Sequence, residues 1–470
     1  MPTRSGDSHV EAATLCRLLG DWPDAGRNLP DALAAAIGEL IEASVLRDGA
    51  ILPSQRVLAD ALGVSRVTVA EAYGLLSAED LLAARQGSGS RVRSRPGTGS
   101  LGSSNTTEGR LASHTGHQNL SIDLTSGALP GLPMVAEAFA SLRREDLEDL
   151  VAGDGYYPAG LPVLREAIAA RYTRDGWPTQ SDEVLVTGGA QQAVWLIAHT
   201  FVSSGDEVVV EEPTYRGSLE AFRSCGARLL PVPMGPTGID VSHLARLLES
   251  RRPRLLYVQP TAHNPTGVTL QHSDRLRLVD LVRRHEILTV EDACTADVLL
   301  DRSTRRPPWG SLLPDGPVLT VGTASKLLWG GLRVGWIRGS HNAIARLTEA
   351  RKAVDIAGPV LDQLVTARLL ARADEALKLR HAQLTAALDQ AGRVLADVHP
   401  QWTWTPPSGG TGLWVDTGTD AVALAERGRR HGVRVVAGPT SSVFGGFGTH
   451  LRLPYWHPAD QFREGLLRLR

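Results

Sequence analysis

Residues 321–336 read VGTASKLLWGGLRVGW. The apolar run that opens at Pro317 stops abruptly in Gly322, Thr323, Ala324, Ser325 and Lys326. A parallel α/β sheet presents such ends at the carboxyl edge of its strands, where ligand chemistry gathers. Lys326 sharpens the point. Lysine and arginine together number 49, and lysine occurs only as Lys326, Lys352 and Lys378. A primary amine condenses with an aldehyde and a guanidinium does not. A Schiff-base site is therefore one of the few places where arginine cannot replace lysine. A surface lysine left by chance is the plainer alternative. It is the better reading of Lys352 and Lys378, which lie in charged helical stretches.

Four upstream stretches share the same plan. They are DEVLVTGGAQQAVWLIA (182–198), DEVVVEEPTYRG (206–217), RLLYVQPTAHNPTG (254–267) and EILTVEDACTAD (286–297). Five strand ends carrying polar residues point to one site in one sheet. The chain from about 150 to 345 reads as a large α/β part. From about 346 to 470 a long amphipathic helix and shorter strands read as a smaller part.

A pyridoxal phosphate site needs a Schiff-base lysine, an acid at the pyridine nitrogen, phosphate donors and a partner for the ring hydroxyl. Asp292 follows the strand 287–290 and can serve the ring nitrogen; an isolated aspartate there also reads as a cap. Gly189, Ala190 and Gln191 in TGGAQQA offer backbone N–H groups at a helix start, which suit a phosphate. Arg333 and the hydroxyls of Thr323 and Ser325 can complete the cup. Asn264 in NPTG can donate to the ring hydroxyl, or be an ordinary Asn-Pro turn. Tyr215 can stack on the ring, or simply pack.

In this order GGAQQA, EEPTY, NPTG, VEDA and GTASK…LRVGW resemble the successive landmarks of the fold-type I aminotransferases, class I/II. The resemblance runs from about residue 122 to the C-terminus. It implies that Lys326 is the Schiff-base lysine, Asp292 the pyridine-nitrogen partner and Asn264 a ring-hydroxyl partner. Gly189, Ala190, Gln191, Ser325 and Arg333 fall at its phosphate positions. HLRLPYW resembles the segment that carries the substrate-carboxylate arginine, which is then Arg452. One departure stands out. The family usually has a tyrosine two or three residues after the aspartate, where this chain has Cys294 and Thr295. A thiol replaces a phenol donor poorly, so a weaker grip on the cofactor and poor catalytic tuning are expected.

The N-terminal hundred residues are patterned differently. Leu33, Ile37, Leu40, Ile41 and Val45 share one helical face. In LPSQRVLADALG, Ser54 is an N-cap and Gly63 a stop; in VSRVTVAEAYGLLSAED, Ser65 starts the next helix. The short loop about Gly63 has helix-turn-helix spacing. LLAARQGSGSRVRSR then reads as two short strands about a turn, a wing. A helix-turn-helix sets the start of its second helix in the DNA major groove. That start is Ser65, Arg66, Val67 and Thr68, with Arg56 placed to touch backbone or base. Residues 81–95 hold Arg85, Arg91, Arg93 and Arg95 and no acid, although residues 1–95 as a whole hold ten arginines against twelve acids. A three-helix protein-binding module fits the spacing too.

Residues 51–92 resemble the winged helix-turn-helix of the GntR transcription factors. The resemblance places DNA contacts on Arg56, Ser65, Arg66, Thr68 and the wing tip Gln86–Gly87. Asp80 stands where that family usually has glycine. A GntR reader joined to an aminotransferase-like part resembles the MocR family of bacterial regulators. It implies a double-stranded DNA operator, pyridoxal phosphate with an amine or amino-acid effector, and a head-to-tail homodimer, while the Cys294 departure leans against efficient turnover. An aminotransferase with no regulatory role and a plain DNA-binding repressor with a vestigial cofactor pocket are the alternatives.

The expected organisation is an α+β winged helix-turn-helix (1–93), a Gly/Ser/Thr/Asn-rich flexible linker (94–121) and an α/β fold-type I aminotransferase-like part (122–470). The same 94–121 stretch also reads as a long surface loop. Hydrophobic content of 42% and a net charge of −2 are those of an ordinary globular chain and say nothing of partners. No apolar run has membrane-span length. Three scattered cysteines argue against a disulfide framework and fit a reducing cytoplasm.

Overall fold

The computed structural model describes residues 10–19, 22, 28–42, 46, 49–78, 81–85, 89–93, 122–300, 307–314 and 316–470. Val45, Asp80, the wing tip Gln86–Gly87, Arg95 and the stretch 94–121 lie outside them. The chain divides into two compact units. The first runs to Ser121 and takes in Asp420–Arg434 and Leu469; the second holds Ile122–Thr419, Val435–Arg468 and Arg470.

In the first unit, helices α1 (Ala12–Leu19), α2 (Leu29–Glu42), α3 (Gln55–Leu62) and α4 (Arg66–Ala78) precede an antiparallel pair, β1 (Leu82–Arg85) and β2 (Gly89–Val92). Leu33, Ile37, Leu40 and Ile41 are buried along one face of α2, against Leu58 of α3 and Val69, Tyr73 and Leu76 of α4. Full burial of one leucine stabilises by about 2 kcal/mol, so this small core depends on every member of the stripe.

The turn between α3 and α4 follows its residue types. The Ser54 hydroxyl accepts the Val57 N–H at 3.4 Å, and Gly63 ends α3 at φ 67°, left-handed backbone that favours glycine. Ser65 Oγ accepts the Thr68 N–H at 3.0 Å and caps α4. An N-cap serine contributes about 1 kcal/mol. Ser65→Ala in the full chain is therefore expected to speed amide exchange in α4 by about fivefold, read by hydrogen-exchange mass spectrometry.

In the second unit, an eight-stranded sheet has the order β4-β11-β10-β9-β8-β5-β6-β7. Its strands are β4 (Val184–Thr187), β5 (Glu207–Glu212), β6 (Arg228–Gly235), β7 (Gly238–Ile239), β8 (Leu255–Val258), β9 (Leu288–Asp292), β10 (Val318–Thr323) and β11 (Gly335–Arg338). β6, β5, β8, β9 and β10 run parallel, and β11 is antiparallel to both β10 and β4. All five motif-bearing strands thus end on one edge, at Thr187, Glu212, Val258, Asp292 and Thr323. β4, β8, β10 and β11 are buried along their whole length, which is why they read as unbroken apolar runs. Val208 and Val210 pack with the helix Ala190–Phe201 on one face, while Val209 packs with helices Val241–Ser250 and His272–His285 on the other.

A second sheet has the order β12-β13-β15-β14-β3, built from Thr403–Trp404, Leu413–Asp416, His450–Leu453, Val433–Ala437 and Ile122–Leu124 (β12, β13, β15, β14 and β3). Residues 122–124 therefore complete a sheet whose other strands lie about 280 residues or more further along, a pairing the local pattern does not reveal.

Candidate cofactor site and candidate nucleic-acid interface

The carboxyl edge of the large sheet gathers the candidate residues of the second unit. Thr323 of β10 faces Gly335 of β11, which faces Thr187 of β4, so three loops open side by side. The first leads into the helix Ala190–Phe201 through Gly189 at φ 104°. A Cβ added to Gly335 would stand 2.6 Å from the Gly189 carbonyl carbon, and one on Gly189 3.0 Å from Arg333 Nη2. Only glycines allow this approach. It holds the Arg333 guanidinium, which donates to the Gly188 carbonyl at 2.6 Å, beside the helix N-terminus. The first N–H groups of such a helix have no intrahelical acceptor and favour an anion.

Ser325 lies between that corner and Lys326 in sequence, partly exposed. The Thr323 hydroxyl donates to the Val334 carbonyl at 3.3 Å and accepts the Ser325 N–H at 3.1 Å, so it also closes the turn that carries Ser325. The Gln191 side chain is also engaged, accepting from Tyr215 Oη at 3.0 Å and donating to the Gly217 carbonyl at 2.9 Å. Any role of Gln191 towards a phosphate falls to its backbone.

Lys326 Nζ donates to the Gly127 carbonyl at 2.8 Å. Burial, reinforced by the charge of Arg452, lowers its pKa from the usual 10.5 to about 8. That leaves about a tenth of the amine neutral and nucleophilic at pH 7, far more than an ordinary lysine offers. Thr411 Oγ1 donates to the same carbonyl at 3.0 Å and accepts from Arg452 Nη2 at 3.2 Å. Arg452 Nε donates to Asn264 Oδ1 at 3.2 Å. Burial lowers the Arg452 guanidinium to about 10, still charged at neutral pH. Lys326, Asn264, Thr411 and Arg452 line one cavity. A Cβ on Gly127 would meet Arg452 Nη2 at 2.5 Å, so glycine is what lets amine and guanidinium converge.

Asn264 is itself clamped. Its N–H donates to Gln259 Oε1 at 3.3 Å, and its carbonyl accepts from Gln259 Nε2 at 3.2 Å. Asp292 ends β9, buried, with Oδ1 accepting the Cys294 N–H at 2.9 Å. The Cys294 thiol lies 4.0 Å from the Val321 carbonyl, and burial pushes it well above its usual range, so it stays protonated. No local sequence signal marks Gly127, Thr411, Gln259 or Tyr257; the hydrogen bonds that bring them to the site span distant segments.

The donor set suits pyridoxal phosphate: a depressed lysine amine, a carboxylate, an amide and an anion corner of guanidinium and helix N-terminus. The bound group supplies an electrophilic carbonyl carbon and an electron-withdrawing ring. Lys326 would hold the carbonyl carbon, Asp292 the ring nitrogen, and Arg333 with the helix 190–201 N-terminus the phosphate. Among the described residues no group of His, Cys, Asp and Glu could hold a metal ion, and no helix is long and apolar enough to cross a membrane.

The first unit carries the candidate nucleic-acid interface. Arg56, Ser65, Arg66 and Val67 are exposed at the starts of α3 and α4. Thr68 is not: it is 9% exposed, its hydroxyl 2.9 Å from Ser65 Oγ. Helix geometry turns the third residue of α4 towards the core, and its hydroxyl meets the capping serine. Tyr73 Oη donates to the Pro53 carbonyl at 2.9 Å, tying α4 to the residue that precedes the α3 cap. Arg93 is exposed on the wing side, and Arg91 donates to the Gly49 carbonyl at 3.3 Å.

Fold and site define a pyridoxal-phosphate-dependent protein of fold type I that carries a DNA reader. Residues 121–469 match the family described as "Aminotransferase class I and II", and residues 29–92 match "Bacterial regulatory proteins, gntR family". The 2-aminoadipate transaminase of Thermus thermophilus is 31% identical over 76% of this chain and 92% of its own. The HTH-type transcriptional regulator YjiR of Escherichia coli is 28% identical over 93% and 97%. The probable rhizopine catabolism regulatory protein MocR of Rhizobium meliloti is 32% identical over 61% and 60%. Among solved structures, LysN, the α-aminoadipate aminotransferase of Thermus thermophilus complexed with N-(5'-phosphopyridoxyl)-L-leucine, superposes with a TM-score of 0.67 at 29% identity over 74% of this chain and 91% of that one. The chain belongs to the class I and II aminotransferase family and, through its GntR-family reader, to the MocR-type transcriptional regulators.

Proposed function

We propose that this regulator senses an α-amino acid at the Lys326 site and passes the result to DNA through residues 56–67. The observation that carries the reading is the meeting of Lys326 and Arg452 at Gly127. A nucleophilic amine beside a buried guanidinium suits a molecule that bears both an amino group and a carboxylate. Arg452 binds the carboxylate, held at the right angle by Asn264 and Thr411. Lys326 would hold the carbonyl carbon of the bound group, and on release its Nζ would take up the proton that the effector's amine gives up. A released, protonated Nζ can donate to the Gly127 carbonyl, and gaining that bond draws on the 126–131 loop. LysN, whose bound ligand joins a pyridoxyl group to leucine, supports an amino acid in this position. The readers act as a pair in a head-to-tail homodimer and meet two operator half-sites, whose reachable spacing changes with the effector.

A hydrogen bond to a charged group contributes about 1.5–3 kcal/mol. Arg452→Gln is therefore expected to raise the amino-acid concentration that half-saturates the spectral change of the cofactor-loaded protein by about 10- to 100-fold. The response to a simple amine without a carboxylate should stay unchanged. Equal losses for both would remove the carboxylate role.

A catalytic reading without regulation is favoured by one observation, the completeness of the Lys326, Asp292, Asn264 and Arg452 set. Sustained transamination across an amino-acid panel, together with no retention of DNA, would establish it instead.

A further inference from the structure

β8 and β9 run side by side in parallel, with Tyr257 opposite Val290. From that register the phenol reaches the end of the neighbouring strand. Tyr257 Oη donates to Asp292 Oδ2 at 2.5 Å, while Asp292 Oδ1 accepts the Cys294 N–H. Both carboxylate oxygens therefore receive a donor from the protein itself. Tyr257 is fully buried and its ring lies edge-on to Phe222, centroids 5.9 Å apart. Its hydroxyl is shut off from bulk solvent. Burial first, and then the Asp292 charge, holds the phenol far above its usual range, so it remains a donor. The other titratable groups facing this pair are Cys294 and Tyr215 on the phenol side and Lys326, with Arg452 beyond it, on the cavity side.

We propose that Tyr257 is a positioning residue that fixes Asp292 and weakens it as a partner for the ring nitrogen of bound pyridoxal phosphate. A hydrogen bond donated into a carboxylate draws charge from its oxygens and lowers its basicity. A ring nitrogen that shares Asp292 with a phenol holds its proton less tightly, and the ring withdraws electrons less strongly. That favours recognition of an amine over its onward conversion, as a sensor requires. The inference rests on the reading that Asp292 serves the ring nitrogen.

The test is a pH titration of the visible absorption of the full-length protein loaded with pyridoxal phosphate, in wild type, Tyr257→Phe, Asp292→Asn and the double variant. Phenylalanine keeps the packing on Phe222, and thermal midpoints are measured alongside. Tyr257→Phe is expected to move the midpoint to lower pH by on the order of half a unit, because a more tightly held ring proton makes the linkage to Lys326 more acidic. In the Asp292→Asn background it should have no further effect. A 3-fluorotyrosine placed at 257, a stronger donor, should move the midpoint the other way, and it serves if the phenylalanine variant does not fold. If Asp292→Asn shifts the midpoint and neither change at 257 does, the inference fails and the Asp292 reading stands. If Asp292→Asn also leaves the midpoint in place, both fail. An equal shift from Tyr257→Phe in the presence and absence of Asp292 would overturn the inference by showing that the phenol acts elsewhere.

Discussion

Lys326→Ala is expected to lose the visible absorption band of protein-bound pyridoxal phosphate completely, and Lys326→Arg to lose it as well. Only a primary amine can make the linkage, and no second lysine is at hand. Lys352 is exposed and paired with Glu349 at 2.6 Å, and Lys378 is exposed on the helix Ala373–Val398. Wild-type protein mixed with the cofactor should develop the band faster as pH rises through about 8, because the neutral form of Lys326 is the nucleophile and its pKa is lowered to about 8. Above that pH the amine is neutral and the rate levels off; below it the rate falls about tenfold per unit. Absorbance after gel filtration checks the first result, and stopped-flow absorbance the second. A band retained in Lys326→Ala would place the cofactor elsewhere.

The second large effect belongs to the reader. Arg66 is the first residue of α4 and exposed, at the position that meets base edges when such a helix enters a major groove. A bidentate arginine–guanine contact is worth about 1–3 kcal/mol. Arg66→Ala is therefore expected to weaken operator binding by about 10- to 100-fold at fixed salt and to relax the preference at one base pair. Fluorescence anisotropy on the operator and on single-base variants measures both. Equal affinity of Arg66→Ala and wild type for the operator would show that α4 does not read bases through this residue.

The strand ends that carry Asp292, Asn264 and Lys326 were legible because strands buried on both faces read as apolar runs, so a polar break in them is conspicuous. The α3–α4 turn was legible because Ser54, Gly63 and Ser65 are each dictated by local backbone needs. Partnerships made by sheet order were not. Tyr257 reads as core until β8 is known to lie beside β9, and Gly127 reads as a turn until Lys326 and Arg452 close on it from residues 199 and 325 positions away. Thr68 and Thr323 show what position alone does not reveal: both hydroxyls also make local backbone or capping bonds, as short polar side chains readily do.

In the proposed mechanism one chain couples the state of Lys326 to DNA. The most direct measurement is a gel-shift titration of the full-length protein on the DNA upstream of its gene, with and without pyridoxal phosphate, in wild type and Lys326→Ala. The cofactor is expected to change the affinity or the mobility of the wild-type complex and to leave that of Lys326→Ala unchanged. Shifts that are identical with and without cofactor in wild type, or that change equally in Lys326→Ala, would contradict it.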